Sequence, residues 1–198
     1  RKAVRWLLEH EMQDSLPQFV KFIGDDDVWF REKAKYVFKK WCSDDFLDLV
    51  YELLSEKSRK YDYFISTLLF NFSKNIDGII VKLLTSENIQ VRKNTRNFQL
   101  SRAGCDNLKP LLFEALNDSD YRVRLVAVNF IDSVTLTDEL INKIINDNHS
   151  KVKLTALNRL NLIDHSKWIE KFEDIKDKNI MYGLNLLKSE NLLKNKDY

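Results

Sequence analysis

The feature that most constrains this chain is a short pattern that returns at a nearly fixed interval. A polar or acidic cluster is followed by a hydrophobe, a basic residue and a small residue. It reads Asp25-Asp26-Asp27-Val28-Trp29-Phe30-Arg31-Glu32-Lys33-Ala34, then Ser86-Glu87-Asn88-Ile89-Gln90-Val91-Arg92-Lys93-Asn94-Thr95. Asp118-Ser119-Asp120-Tyr121-Arg122-Val123-Arg124-Leu125-Val126-Ala127 and Asp147-Asn148-His149-Ser150-Lys151-Val152-Lys153-Leu154-Thr155-Ala156 follow. With the hydrophobe before the basic residue as an anchor, the anchors are Phe30, Val91, Val123 and Val152, at spacings of 61, 32 and 29 residues. The first spacing is two periods, so a degenerate copy belongs near Tyr61, where Asp62 replaces the basic residue. Arg1-Lys2-Ala3-Val4 fits the same frame one period earlier. A unit of about 30 residues cannot bury a hydrophobic face alone, so such units stack on one another.

The register extends upstream of each anchor. Eleven residues before stand Phe19, Val50, Ile80, Leu112 and Ile141, and seven before stand Ile23, Leu54, Leu84, Leu116 and Ile145. Both prolines, Pro17 and Pro110, fall thirteen before their anchors. That column reads as the first turn of a helix, where a missing N–H costs little. Each repeat is therefore predicted to be a helical hairpin. First helices are expected over 15–23, 45–55, 75–85, 107–116, 137–146 and 166–175, with N-caps at Asp14, Ser43, Asp106, Thr137 and Ser166. Second helices are expected over 1–12, 28–41, 60–72, 89–102, 121–133, 150–162 and 179–188. On these the anchor, the residue four on and the one seven or eight on share the face that packs against the first helix. Only 4 glycines and 2 prolines occur in 198 residues, which favours helices joined by short turns over sheets.

These stretches resemble HEAT repeats, in the short form often called PBS-lyase-like HEAT. The similarity covers Arg1 to about Leu162 and fades after Ser166. The resemblance implies an all-α fold, a right-handed α-solenoid of about six hairpins. It implies one domain over 1–198, read as a fragment of a longer protein because Arg1 is no translation start. It also implies that the basic residue after the anchor pairs with acidic groups at neighbouring turns. Here that concerns Arg31, Arg92, Arg124 and Lys153, with Asp26, Asp120 and Asp147 as partners.

No catalytic, cofactor or metal constellation is legible. The three histidines, His10, His149 and His165, form no His-x-x-x-His. His10-Glu11 is the one His-Glu pair, against the several that HEAT-type hydroxylases carry. Cys42 and Cys105 fit no metal spacing and read as inert thiols of a cytoplasmic protein. No apolar run is long enough to cross a membrane. Net charge is +2, too near balance to imply nucleic acid by itself.

The remaining signal is a column six residues after each anchor, opposite the core face: Trp6, Tyr36, Thr67, Asn97, Asn129 and Asn158. In a HEAT solenoid the second helices line the concave surface. Trp6, Tyr36, Asn97, Asn129 and Asn158 are therefore expected to contact a protein segment, as aromatic anchors and amide hydrogen-bonders. Lys2, Arg5, Lys35, Lys39, Lys93 and Arg96 make the amino-terminal half of that face mildly basic. The expected function is a non-catalytic protein–protein interaction scaffold. A DNA-binding protein or HEAT-like alkylpurine DNA glycosylase is the alternative, since Trp41 and Asp45 share the Trp-x-x-x-Asp spacing such enzymes use.

Overall fold

The structure, a computed structural model, describes residues 2–10, 13–55, 59–163 and 166–194. His165 and Glu11 lie outside these residues. Among the described residues every regular element is helical and no strand occurs. The helices are α1 (Lys2–Glu9), α2 (Leu16–Phe19), α3 (Val28–Trp41), α4 (Leu47–Ser55), α5 (Asp62–Ser66), α6 (Asp77–Leu84) and α7 (Ile89–Arg102). They continue as α8 (Cys105–Ala115), α9 (Tyr121–Asn129), α10 (Asp138–Ile145), α11 (Ser150–Leu162), α12 (Ser166–Ile169) and α13 (Lys178–Lys194). The chain divides into two compact units, Arg1–Thr95 and Arg96–Tyr198.

The repeated polar cluster folds as two side-chain turns in tandem. The Asp25 carboxylate accepts from the Asp27 N–H, and the Asp27 carboxylate accepts from the Trp29 N–H, capping α3. Asp118 accepts from Asp120 N–H, and Asp120 from Arg122 N–H, capping α9. Ser86 and Asn88 do the same before α7. Before α11 the pair is Asp147 and His149, whose Nδ1 accepts from the Lys151 N–H and whose ring stacks on Tyr121. A short polar side chain at alternate positions first closes the turn and then supplies an acceptor for a free helix N–H. This accounts for α3, α7, α9 and α11 starting at the expected residues; α3, α7 and α11 also end where expected, whereas α9 ends at Asn129 and not at 133.

The expected N-caps of the first helices fare differently. Among the described side chains only Thr137 caps, accepting from the Leu140 N–H. Asp14 lies within the 3₁₀ turn Gln13–Ser15, and Ser43 caps no N–H with its hydroxyl. Asp106 is already inside α8, whose cap position is Gly104, and the side chain of Ser166 lies outside those described. Several first helices are accordingly part 3₁₀: Val20–Phe22 continues α2, Asp44–Phe46 precedes α4 and Glu170–Phe172 follows α12. The proline column is half right. Pro17 stands in the first turn of α2, but α8 begins at Cys105 and carries Pro110 inside it. The helix there tolerates one missing N–H bond instead of avoiding it.

The expected core face is present. Anchors Phe30, Val91, Val123 and Val152 are buried, as are Ala34, Ile65, Thr95, Ala127 and Ala156 four residues on. In the first unit α3 packs against α1 and α2, and α4 against α6. In the second, α11 packs against α9, α10, α12 and α13 over Ile141, Val152, Leu160, Phe172 and Ile180. Gly183 lets α13 approach closely, because a Cβ there would lie 2.7 Å from Leu154 Cδ1. The signature also persists past the point where the sequence resemblance fades: Asp177 accepts from the Asn179 N–H at the start of α13. Side-chain bonds tie successive hairpins at one period. Asn71 donates to the Lys39 and Cys42 carbonyls, Asn94 to the Ser66 hydroxyl, and Arg159 to the Ile131 carbonyl.

The degenerate repeat departs most. In place of a helix over 60–72 there is α5, a turn and a 3₁₀ segment, Leu69–Asn71. The hydroxyls of Ser66 and Thr67 donate to the Tyr63 and Phe64 carbonyls three residues back. The backbone follows the same i→i−3 pattern, Thr67 N–H to Phe64 and Leu68 N–H to Ile65. Two successive hydroxyl residues competing for those carbonyls break the helix.

Candidate functional site

The five expected contact residues sit on five different second helices: Trp6 on α1, Tyr36 on α3, Asn97 on α7, Asn129 on α9 and Asn158 on α11. All five are exposed, Trp6 at 53% and Tyr36 at 50%. Neither aromatic is therefore sealed between helices. Trp6 stacks on His10 with ring centroids 4.0 Å apart, and His10 Nδ1 stands 2.7 Å from the Trp6 carbonyl. Tyr36 carries the Lys33 ammonium 4.8 Å from its ring centre. Each exposed ring is thus held in place from one side and open on the other. Thr67, the column's member in the degenerate repeat, is partly covered and spends its hydroxyl on the Phe64 carbonyl.

The basic column behaves as structure, with a difference from the expected pairing. Arg31 Nη1 donates to the carbonyls of Asp25 and Asp26, at 2.7 and 3.4 Å. Arg92 Nη1 donates to Ser86 and Glu87 carbonyls, at 2.7 and 3.3 Å. Arg124 Nη1 donates to Asp118 and Ser119 carbonyls, at 2.9 and 3.1 Å. The shared acceptors are backbone carbonyls of the residue's own turn, a signal no sequence letter carries. Of the acidic partners named from sequence, Asp147 takes the expected part: Arg124 reaches both its oxygens, at 2.7 and 2.9 Å, and also Asn148. Asp26 is met through its carbonyl, and Asp120 pairs with Arg122. Lys153 adds a favourable charge beside Asp177, whose carboxyl is held below its ordinary range mainly by the Ser150 hydroxyl.

Burial pushes the Cys42 thiol up to about 12, so it stays protonated. The Trp41 indole nitrogen, at the end of α3, is buried with no hydrogen-bond partner, whereas Asp45 stands exposed in the 3₁₀ turn that opens α4's hairpin. Among the described residues no three His, Cys, Asp or Glu side chains group as metal ligands would, and no helix is long and apolar enough to cross a membrane. No protein-family model matches the chain, and no curated protein matches it.

Sequence reasoning missed one feature, a depression of about 570 Å³ at the degenerate repeat, lined by Arg59, Asp62, Tyr63, Thr85, Glu87 and Asn88 among others. Its only hint was Asp62 in the basic column.

Proposed function

We propose that this chain is a HEAT-type solenoid acting as a non-catalytic interaction scaffold in the cytoplasm, which binds an extended protein segment along its second-helix face. The observation that carries the reading is exposure at one register position of the second helices, at Trp6 and Tyr36 in the first unit and at Asn97, Asn129 and Asn158 in the second, with Thr67 between them partly covered. Two further facts support it: the tandem side-chain turns before α3, α7, α9 and α11, and the hydrogen bonds that join hairpins one period apart. Within each unit, repetition of the hairpin gives one such side chain per repeat, which suits an extended ligand. Half-exposed aromatics with a fixed orientation lose little entropy on binding and commonly dominate affinity.

The test separates the binding column from the structural column. Against a captured partner, Tyr36→Ala and Asn97→Ala are each expected to weaken binding by roughly 1–3 kcal/mol, with the melting temperature nearly unchanged. Arg92→Ala is expected to lower the melting temperature. If Arg92→Ala abolished binding at unchanged stability and Tyr36→Ala did nothing, the two columns would have to exchange roles.

A further inference from the structure

Helices α1 and α3, which pack on one another, are both basic. They hold two and five basic residues respectively against one acidic residue each, Glu9 and Glu32, a net of +5. Helix α7 has four basic residues and no acidic one, but Arg92 donates to the Ser86 and Glu87 carbonyls and Arg96 pairs with Glu114. The whole chain is +2, so everything outside these two helices sums to −3. The charge is ordered. Trp29, Lys33, Tyr36 and Lys40 recur every three to four residues along one stripe of α3. α1 packs on α3, and the Arg5 guanidinium lies 4.6 Å from the centre of the Trp29 ring, which brings the exposed face of α1 alongside that stripe. Lys2, Arg5 and Lys39 are exposed. Several cations of the second helices are engaged by the fold, Arg122 with Asp120, Arg124 with Asp147 and Arg159 with the Ile131 carbonyl, and on α3 itself Arg31 with the Asp25 carbonyl and Lys35 with Glu32.

We infer that the alternating cations and aromatics of α1 and α3 bind an acidic polypeptide segment, its carboxylates meeting Lys2, Arg5 and Lys39 and an apolar side chain resting on Tyr36 or Trp6. This rests on the scaffold reading and names the chemistry of its partner. Two observations favour a polypeptide over nucleic acid. The stripe is short, because a 14-residue helix spans about 20 Å. A short acidic segment places all its charge within reach of the stripe at a screening length of about 8 Å. The exposed rings, moreover, each offer a single open face, since His10 covers Trp6 and Lys33 lies over Tyr36. A lone face suits an aliphatic or aromatic side chain, while successive bases need platforms in series.

The experiment titrates the whole chain into three fluorescein-labelled probes and reads anisotropy. The first is a peptide of about twelve residues alternating Glu and Asp with Leu and Phe. The second has every acid replaced by Gln, and the third is single-stranded DNA of similar length. The acidic peptide is expected to bind best, with its Kd rising about tenfold between roughly 50 and 300 mM salt. Lys33→Glu with Lys39→Glu is expected to raise that Kd at least tenfold at unchanged far-UV circular dichroism, while exposed Lys176→Glu leaves it as it was. Equal binding of the acidic and Gln peptides, lost in Tyr36→Ala, would overturn this inference and leave the scaffold reading standing. DNA binding more tightly than either peptide would overturn both, as would no binding by any probe.

Discussion

At the turn that opens α9 the cation rides on the helix and its carboxylate partner lies in the next turn. Arg124 donates to the Asp118 and Ser119 carbonyls of its own turn and to the Asp147 carboxylate of the next. At the turn that opens α5 the placement is reversed. Asp62 is on the helix, and Arg59 is in the turn. Arg59 Nε donates to the Asp62 carboxylate at 2.7 Å, and its two terminal nitrogens donate to the Thr85 and Lys82 carbonyls, at 3.0 and 2.6 Å. Each site contains one guanidinium, one buried carboxylate and two carbonyls, which belong to the turn between α8 and α9 at Arg124 and to the end of α6 at Arg59. The demand is set by those carbonyls, which have no intrahelical donor. Either residue order can meet it, because a guanidinium offers five donors in a fixed fork. The inverted order has a cost: Arg59 must adopt a φ of 50°, in the left-handed region that side chains other than glycine disfavour.

The largest effect should come from breaking the regular site. Arg124 is 7% exposed, and Asp147 is comparably covered. Arg124→Ala would strand a buried carboxylate and two carbonyls at once, so a loss of about 3–5 kcal/mol is expected in urea denaturation. A loss below about 1 kcal/mol would show that water replaces the guanidinium without difficulty. The inverted site should be weaker. Asp62 is 3% exposed, but the Arg59 side chain is more than a third exposed and its bond to Asp62 is partly screened. A double-mutant cycle of Arg59→Ala and Asp62→Ala should give a coupling of about 1 kcal/mol. Coupling as large as the Arg124→Ala loss would mean that the inverted arrangement is as tightly built as the regular one.

This contrast also separates what the sequence made legible from what it did not. The period, the anchors and the boundaries of α3, α7 and α11 could be read because each depends on side chains with a repeated identity: Asp27, Asn88 and His149 as caps, and Phe30, Val91 and Val152 as core. Exposure of the five-residue column followed from the same period. The targets of Arg31, Arg92 and Arg124 were hidden because they are backbone carbonyls. The first-helix starts were misplaced because Ser43 and Asp106 have the composition of caps without the geometry. Asp62 marked a departure, but its compensation comes from Arg59, which lies three residues earlier in a conformation that local propensity disfavours. The chemistry of a partner is least legible of all, since an exposed asparagine or tyrosine is compatible with many ligands.

The smallest expected effect is an acid-dependent one, and it probes both kinds of repeat. Asp44 fastens the end of the degenerate repeat. Its carboxylate is held below the ordinary aspartate value of 3.8 chiefly by the Ser73 hydroxyl, then by the Lys74 N–H. Asp177 fastens the regular repeat of α11, lowered chiefly by the Ser150 hydroxyl and further by the Asn179 N–H. A carboxylate with a lowered folded-state pKa binds fewer protons folded than unfolded just below 3.8, so stability there rises with pH. Its contribution is complete above 3.8 and disappears as the pH falls through the lowered values. Melting temperatures measured from pH 7 down to about 2.5 should therefore stay level and then fall below pH 4. Asp44→Asn and Asp177→Asn should each flatten that fall, because an amide cannot titrate. Both carboxylates are at the surface, so each change should be smaller than either effect above. If Asp177→Asn flattens the acid limb and Asp44→Asn leaves it untouched, the Asp44 bonds add nothing to the degenerate repeat, which is then held by Asn71, Asn94, Arg59 and Asp62. Equal flattening would show that both repeats are fastened to the next hairpin by the same kind of hydroxyl–carboxylate bond, whatever the order of charges at their turns.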